Sequence, residues 1–371
     1  MKKTITFIMS LIAVVAWAND GVFFVNGNQL VPIKETDISL SKEELTISIG
    51  DDGYATVDVL YQLNNHGKAK TIVVGFEANA PYNDEAKLNK EGKHPYISDF
   101  TVTMNDSILS YTNAVVASPM EGSTDFKPLD LNRWKTTDGM DFSGSHNLYD
   151  ASIDSIIGFS YAYCFEAPFR EGLNTIHHTY RYRMSYGVWR AFEIPYWLTP
   201  AMRWQGQKID DFTLRIKAEN TAKHFCFCDS LFSASPFIIE GTGKMRIADR
   251  GYGERMLEVA LRNASLVWHA KDFVPRANIT IYAADVIYGG SDKLGEFYDR
   301  GEHYFLWAYM DKKPNRRILR NLPYANRGYV FKDKKLQRYF SSLWWYMPDT
   351  QWQPSTSDFT TREWKLINEG R

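Results

Sequence analysis

Between Leu45 and Phe76 apolar and polar residues alternate with a period of two. Leu45, Ile47 and Ile49 are interleaved with Thr46 and Ser48. Ala55, Val57, Val59, Tyr61 and Leu63 lie opposite Thr56, Asp58 and Gln62, and Ile72, Val74 and Phe76 continue the pattern. Neighbouring side chains of a strand point to opposite faces, so each run is a half-buried strand. Gly50-Asp51-Asp52-Gly53 and Asn64-Asn65-His66-Gly67 supply turn chemistry between the runs. Three such runs joined by short turns predict an antiparallel meander.

The alternation lapses over residues 81–150, which are rich in Asn, Asp, Ser, Lys and Gly. Only Phe100 to Met104 reads as a strand there, inside a long loop insertion. It returns from Thr175 to Tyr186, where Ile176, His178, Tyr180, Tyr182, Met184 and Tyr186 oppose Thr175, His177, Thr179, Arg181, Arg183 and Ser185. Phe212, Leu214 and Ile216 alternate likewise, and residues 255–262 and 277–284 also read as strands. Beyond residue 290 the period changes. Ser291 to Met310 fits a helical connector. Asp333 is placed to cap a helix carrying Leu336, Phe340 and Leu343, and Thr360 with Glu363 has capping-box spacing ahead of Trp364, Leu366 and Ile367. The expected fold is mainly β, one or two antiparallel β-sandwich domains, followed by a small C-terminal α-helical domain. The expected divisions are 1–18, 19–160, 161–290, 291–311 and 312–371.

The first eighteen residues belong to neither pattern. Lys2 and Lys3 precede an apolar run, Thr4 to Val15, and Ala16-Trp17-Ala18 ends it before Asn19-Asp20. That order predicts a signal peptide cleaved near Ala18 and a secreted, periplasmic or extracellular mature protein. The run is shorter than the roughly 20 residues a membrane helix needs. No Cys stands near the cut, which argues against a lipoprotein anchor.

Composition changes this picture in two places. Aromatic residues make up 15% of the chain, which suits packing on pleated sheets or, alternatively, aromatic platforms for a ligand. The net charge of −1 hides an uneven distribution: residues 312–371 hold 13 Lys/Arg against 5 Asp/Glu, while residues 19–311 hold 28 against 39. Such asymmetry predicts either an anionic partner for the basic end or docking of the two halves.

Candidate chemistry is sparse. His224, Cys226 and Cys228 share one strand face, but a straight strand holds the first and last roughly 13 Å apart. Ligands of one zinc lie about 2.0–2.3 Å from it, so the expectation is buried small residues and no metal. Adjacent His177 and His178 face opposite sides; His178 is expected in a core or interface and His177 beside Arg181 and Arg183. Export permits a disulfide from Cys164 to Cys226 or Cys228, and three buried thiols are the alternative. No nucleophile elbow, H-E-x-x-H, P-loop or dinucleotide fingerprint is present, and Gly241-Thr242-Gly243-Lys244 lacks P-loop spacing. No cofactor is therefore expected.

Leu319-Arg320-Asn321, Tyr324-Ala325, Gly328-Tyr329-Val330-Phe331, Leu336, Tyr339-Phe340 and Trp345-Tyr346-Met347-Pro348 resemble a YARHG domain, a small, largely helical extracellular domain of bacterial proteins. The resemblance spans about residues 312–371 and implies no activity. The signature reads Tyr324-Ala325-Asn326-Arg327-Gly328 here, so Asn326 replaces the family's Arg and Arg327 its His. The N-terminal Ile38-x-Leu40, Glu44-Leu45-x-Ile47 and Val57-x-Val59-x-Tyr61 runs resemble an uncharacterised secreted bacterial family and imply a β-rich fold.

The basic, aromatic C-terminal segment is the main functional lead. Ten Lys and Arg crowd the 27 residues from Lys312 to Arg338 beside a single acid, Asp333. Arg316, Arg320, Tyr324, Arg327, Tyr329, Trp345 and Tyr346 are the candidate binding residues. Cations beside aromatic faces suit an anionic glycan, a lipid headgroup or an envelope protein, and export disfavours nucleic acid. Three readings are open: an envelope-binding module, a basic domain docked on the acidic β structure with no external ligand, and a hydrolase of envelope polymers or peptides.

Overall fold

The computed structural model describes residues 18–26, 29–32, 35–79, 93–118, 147–150, 155–187, 190–218, 222–232, 235–249, 255–283 and 316–369. The expected signal peptide up to Trp17, most of the 81–150 insertion and the 291–311 connector lie outside the described residues.

Among the described residues eighteen strands form two sheets, and three α-helices come after them. β1 (Ala18–Asn26), β2 (Gln29–Pro32), β5 (Lys70–Asn79), β8 (Thr112–Ser118), β9 (Asn147–Asp150) and β10 (Ser155–Phe169) make the smaller sheet. Its order is β2-β1-β5-β10-β8, with β9 also on β10. The twelve-stranded sheet contains β3 (Ile38–Ile49), β4 (Tyr54–Asn65), β6 (Ile97–Met104), β7 (Ser107–Ile108), β11 (Gly172–Arg183), β12 (Ser185–Gly187), β13 (Arg190–Tyr196), β14 (Gln205–Ala218), β15 (Lys223–Phe227), β16 (Ile238–Asp249), β17 (Arg255–Phe273) and β18 (Ile279–Ala283). Its pairings are antiparallel apart from β3 with β14. The helices are α1 (Arg316–Asn326), α2 (Lys334–Ser341) and α3 (Thr361–Glu369). No helix among the described residues is long and apolar enough to cross a membrane.

The two sheets face each other across one core. Val74, Phe76 and Ala78 of β5 and Tyr163, Phe165, Ala167 and Phe169 of β10 join the cluster that holds Leu45, Val57, Ile176, Phe212 and Leu266 of the larger sheet. Fully burying a side chain such as Phe76 contributes about 1.5–3 kcal/mol. The mainly β architecture with a helical C-terminus stands as expected, and the meander is corrected. β3 and β4 form a hairpin, but β5 leaves it and pairs with β1 and β10. Period-two alternation says which face is buried, not which strand lies alongside, and β5 buries the same residues from the opposite sheet.

A local irregularity decides which residues of β17 point away from the core. Leu257, Val259 and Leu261 face the core, yet so do Ala264, Leu266 and Trp268. The parity switches at Asn263, whose φ is 45°, opposite Gly241 of β16 at φ 104°. Here the register with β16 slips between Glu240 and Thr242, which is a β-bulge. The Gly-Thr-Gly-Lys run is therefore part of β16, with Gly241 opposite the extra residue that bulges β17. Before the bulge, Glu258, Ala260 and Arg262 point to the outer face.

Candidate binding face of the C-terminal helices

Local sequence dictates the three helices. The Asp333 carboxylate accepts from the backbone N–H groups of Lys335 and Leu336, both at 3.0 Å, and opens α2. Leu336 and Phe340 turn inward. Ahead of α3, Thr360 Oγ1 accepts from Glu363 N at 3.2 Å and Glu363 Oε2 from Thr360 N at 2.9 Å, the reciprocal capping box. Gly328 ends α1 with φ 82°. Tyr329 N donates to Tyr324 O at 3.0 Å and Gly328 N to Ala325 O at 2.9 Å, a Schellman closure that needs the left-handed residue glycine supplies. Arg327 is buried and closes the domain from within. It meets Glu363 at 2.6 and 2.9 Å and also donates to Pro323 O and Asp358 O.

This domain packs on the outer face of β15, β16 and β17. Ala222 and Ala260 belong to the same apolar cluster as Leu322, Ala325, Phe331, Phe340, Trp345 and Tyr346. The polar contacts run from the sheet to the helical domain. Arg262 Nη1 donates to Met347 O at 2.8 Å, with Asp349 at 3.6 Å. Lys244 Nζ donates to Tyr346 O at 2.9 Å. The Arg246 guanidinium lies 4.4 Å from the centre of the Trp344 ring while its Nε donates to Glu258 at 2.6 Å. The His224 ring stands 4.9 Å from that of Trp345. Lys223 is fully buried and paired with Asp51 of the β3–β4 turn. Burial pushes its ammonium below the usual lysine range; Asp51 opposes that shift, Arg327 adds to it, and Glu363 opposes it. The Arg327–Glu363 pair is thus within electrostatic reach of the sheet.

Docking explains β15, all five residues of which are buried. The core covers Phe225 and Phe227, and Trp344 and Trp345 of the helical domain lie against His224. Cys226 packs with Met256 and Tyr282, whereas Cys164 packs with Val73, Ala114 and Ala162 on the smaller sheet. All three cysteines are thiols, so the bridge considered from Cys164 is not formed. Cys226 and Cys164 occupy different sheets with different neighbours. Cys228 lies past the end of β15 and is exposed. Among the described residues no group of three or more His, Cys, Asp or Glu could hold a metal ion. His178 lies in the core against the rings of Tyr61, Phe76 and Phe100. His177 meets Asp58 at 3.1 Å, Arg181 meets Asp52 at 2.6 Å, and Arg183 lies over Tyr96, so the cations of that stripe have partners within the sheet.

The structure divides the seven candidate binding residues. Trp345, Tyr346 and Arg327 are buried at 1%, 4% and 7% exposure, and the first two form the docking contact. Their inward position corrects the reading that placed them on a ligand face. Arg316 is exposed, and Arg320, Tyr324 and Tyr329 are half-buried. Around them stand further exposed cations: Arg317, Lys332, Lys334, Lys335 and Arg338. Arg317 pairs with Asp333 at 2.6 Å. The hydrogen bond from Leu336 N, with that pairing, holds the Asp333 carboxyl below its usual range. Sequence reasoning missed Lys244, Arg246 and Arg262. Their only signal was Lys244 and Arg246 sharing one parity of a strand, which a solvated strand also shows.

Residues 302–370 match the YARHG domain, so the chain carries such a domain at its C-terminus. The match begins about ten residues before the segment that resembled it. No curated protein matches the chain. Among solved structures, a candidate nutrient-binding protein from Legionella pneumophila is 19% identical, with a TM-score of 0.47, covering 96% of this chain and 100% of that one. An M1 zinc metallopeptidase from Deinococcus radiodurans is 9% identical, with a TM-score of 0.27, covering 68% of this chain and 43% of that one. The match therefore spans less than half the peptidase's length.

Proposed function

We propose that this chain is an exported binding module whose docked C-terminal YARHG domain turns a basic face toward an anionic component of the cell envelope. One observation carries the reading. The domain docks through cations of the sheet, Lys244, Arg246 and Arg262, set on its carbonyl oxygens and a ring. Its own Arg316, Arg317, Lys332, Lys334, Lys335 and Arg338 take no part in those contacts. They remain exposed, with Asp333 the exposed acid among them. Clustered exposed cations create a positive field that attracts polyanions and weakens with salt.

The docked-domain reading describes how the face is held, and Arg316, Lys332, Lys334, Lys335 and Arg338 stand outside the contacts it uses. The binding reading uses both sets of residues. Its test is a titration of the full chain with polygalacturonate at low ionic strength. The chain is expected to bind it at least about tenfold, or about 1.4 kcal/mol, more tightly than the methyl-esterified polymer. Lys334→Glu with Lys335→Glu should remove that preference, as should raising the salt. Equal binding of both polymers, or an unaffected double variant, contradicts the reading.

A further inference from the structure

We propose that Tyr324, Tyr329, Trp352 and Trp364 form the sugar-contacting part of the basic face, so that its ligand is an acidic glycan. The inference rests on the envelope-binding reading and adds the ligand class. These four rings are each half-buried; three of them pack on buried Phe359, and Tyr329 lies between Tyr324 and Trp352. Tyr324 and Tyr329 stand 5.9 Å apart between ring centres, and Tyr329 and Trp352 stand 6.2 Å apart. Phe359 lies 4.7 Å from Tyr324, 6.4 Å from Trp352 and 5.2 Å from Trp364.

The Trp364 ring is held by its Nε1, which donates to Thr356 O at 3.2 Å, and the backbone N–H of Trp352 donates to Asp349 at 3.3 Å. Tyr324 and Tyr329 pack against the edge of the apolar cluster that forms this domain's core and its contact with the sheet, and Trp352, Phe359 and Trp364 lie beyond it. Rings with an apolar body and a polar edge suit a ligand that is itself apolar on one face and hydroxylated at its rim, which describes a pyranose.

The charges adjoin the rings. On α1, Arg320 precedes Tyr324 by one turn and lies on its face. Arg317 precedes it by seven residues, about 10 Å along the axis. A carboxylate or sulfate of a sugar whose ring lies on the aromatic surface would compete with Asp333 for the Arg317 guanidinium. A lipid surface would instead take the rings into its interface, and the vesicle arm of the test below separates that outcome from a glycan.

The test uses the full chain, polygalacturonate and phosphatidylglycerol vesicles. Trp352→Ala and Trp364→Ala are expected to weaken polygalacturonate binding at least about fivefold at a temperature where circular dichroism shows each variant folded. If either variant unfolds, the wild-type tryptophan emission should shift with polygalacturonate, and the shift should shrink in Trp352→Phe. Ring variants that bind like the wild type, while Lys334→Glu with Lys335→Glu does not, overturn this inference and leave the charge reading standing. Binding of the vesicles but not the polymer overturns the glycan assignment in favour of lipid. A wild-type chain that binds neither overturns both.

Discussion

Gly328 joins the signature to the sheet at the scale of a single residue. A methyl group added there would lie 1.5 Å from Arg262 Nη1 and 2.6 Å from Met347 O, and the backbone is left-handed. Gly328→Ala should therefore cost about 2–4 kcal/mol, from the left-handed conformation and overpacking together. In an Arg262→Ala background the cost should shrink by at least about 1 kcal/mol, because contacting residues couple. Chemical denaturation of the four proteins measures this, and an equal penalty in both backgrounds would show that Arg262 does not lie over Gly328. In the sequence Gly328 stood out only as the last residue of the domain signature. The arginine above it did not stand out, since Arg262 lies far upstream on a strand whose parity a bulge inverts. Arg327 shows the same limit. Among exposed Lys and Arg it reads as one more surface cation, and only Glu363 brought alongside turns it inward.

Helix starts were more legible than strand pairing, because capping is local and pairing is not. Asp333 and the Thr360–Glu363 box specify the starts of α2 and α3 from neighbouring residues alone. β5 has an unmistakable alternation and still joined an unexpected sheet. The Asp333 cap makes a prediction at this scale. Its carboxyl is held below the ordinary value by the backbone N–H of Leu336 and by Arg317. The folded state therefore binds this proton less readily than the unfolded state. Its contribution is fully present above the ordinary carboxylate pKa of about 3.9 and is lost as pH falls through the lower folded value. Asp333→Asn still caps the helix but carries no such titration. Melting followed by circular dichroism from about pH 5 down to about pH 2 should show a shallower acid loss for the variant. Parallel curves would mean that Asp333 does not couple to folding.

For the whole molecule, the uneven charge pointed to two outcomes, and the structure separates the residues each would use. Docking relies on small residues, rings and cations of the sheet. Among the described residues of the C-terminal segment, Arg316, Arg317, Lys332, Lys334, Lys335 and Arg338 are exposed. That division was invisible in composition, which counts Lys244 and Lys334 alike. The sequence did disclose the mainly β body, the helical end and the segment that carries the lead. The faces required the tertiary contacts.

A C-terminal domain fixed by one face and binding through another has a direct signature in amide hydrogen exchange. The full chain, measured with and without polygalacturonate, reports on both faces together. Residues 344–349 should be protected in the free protein and unchanged by the polymer, while residues 317–338 and 352–364 slow when it is added. Unprotected exchange at 344–349 in the free protein, or slowing confined to that segment, would contradict the account.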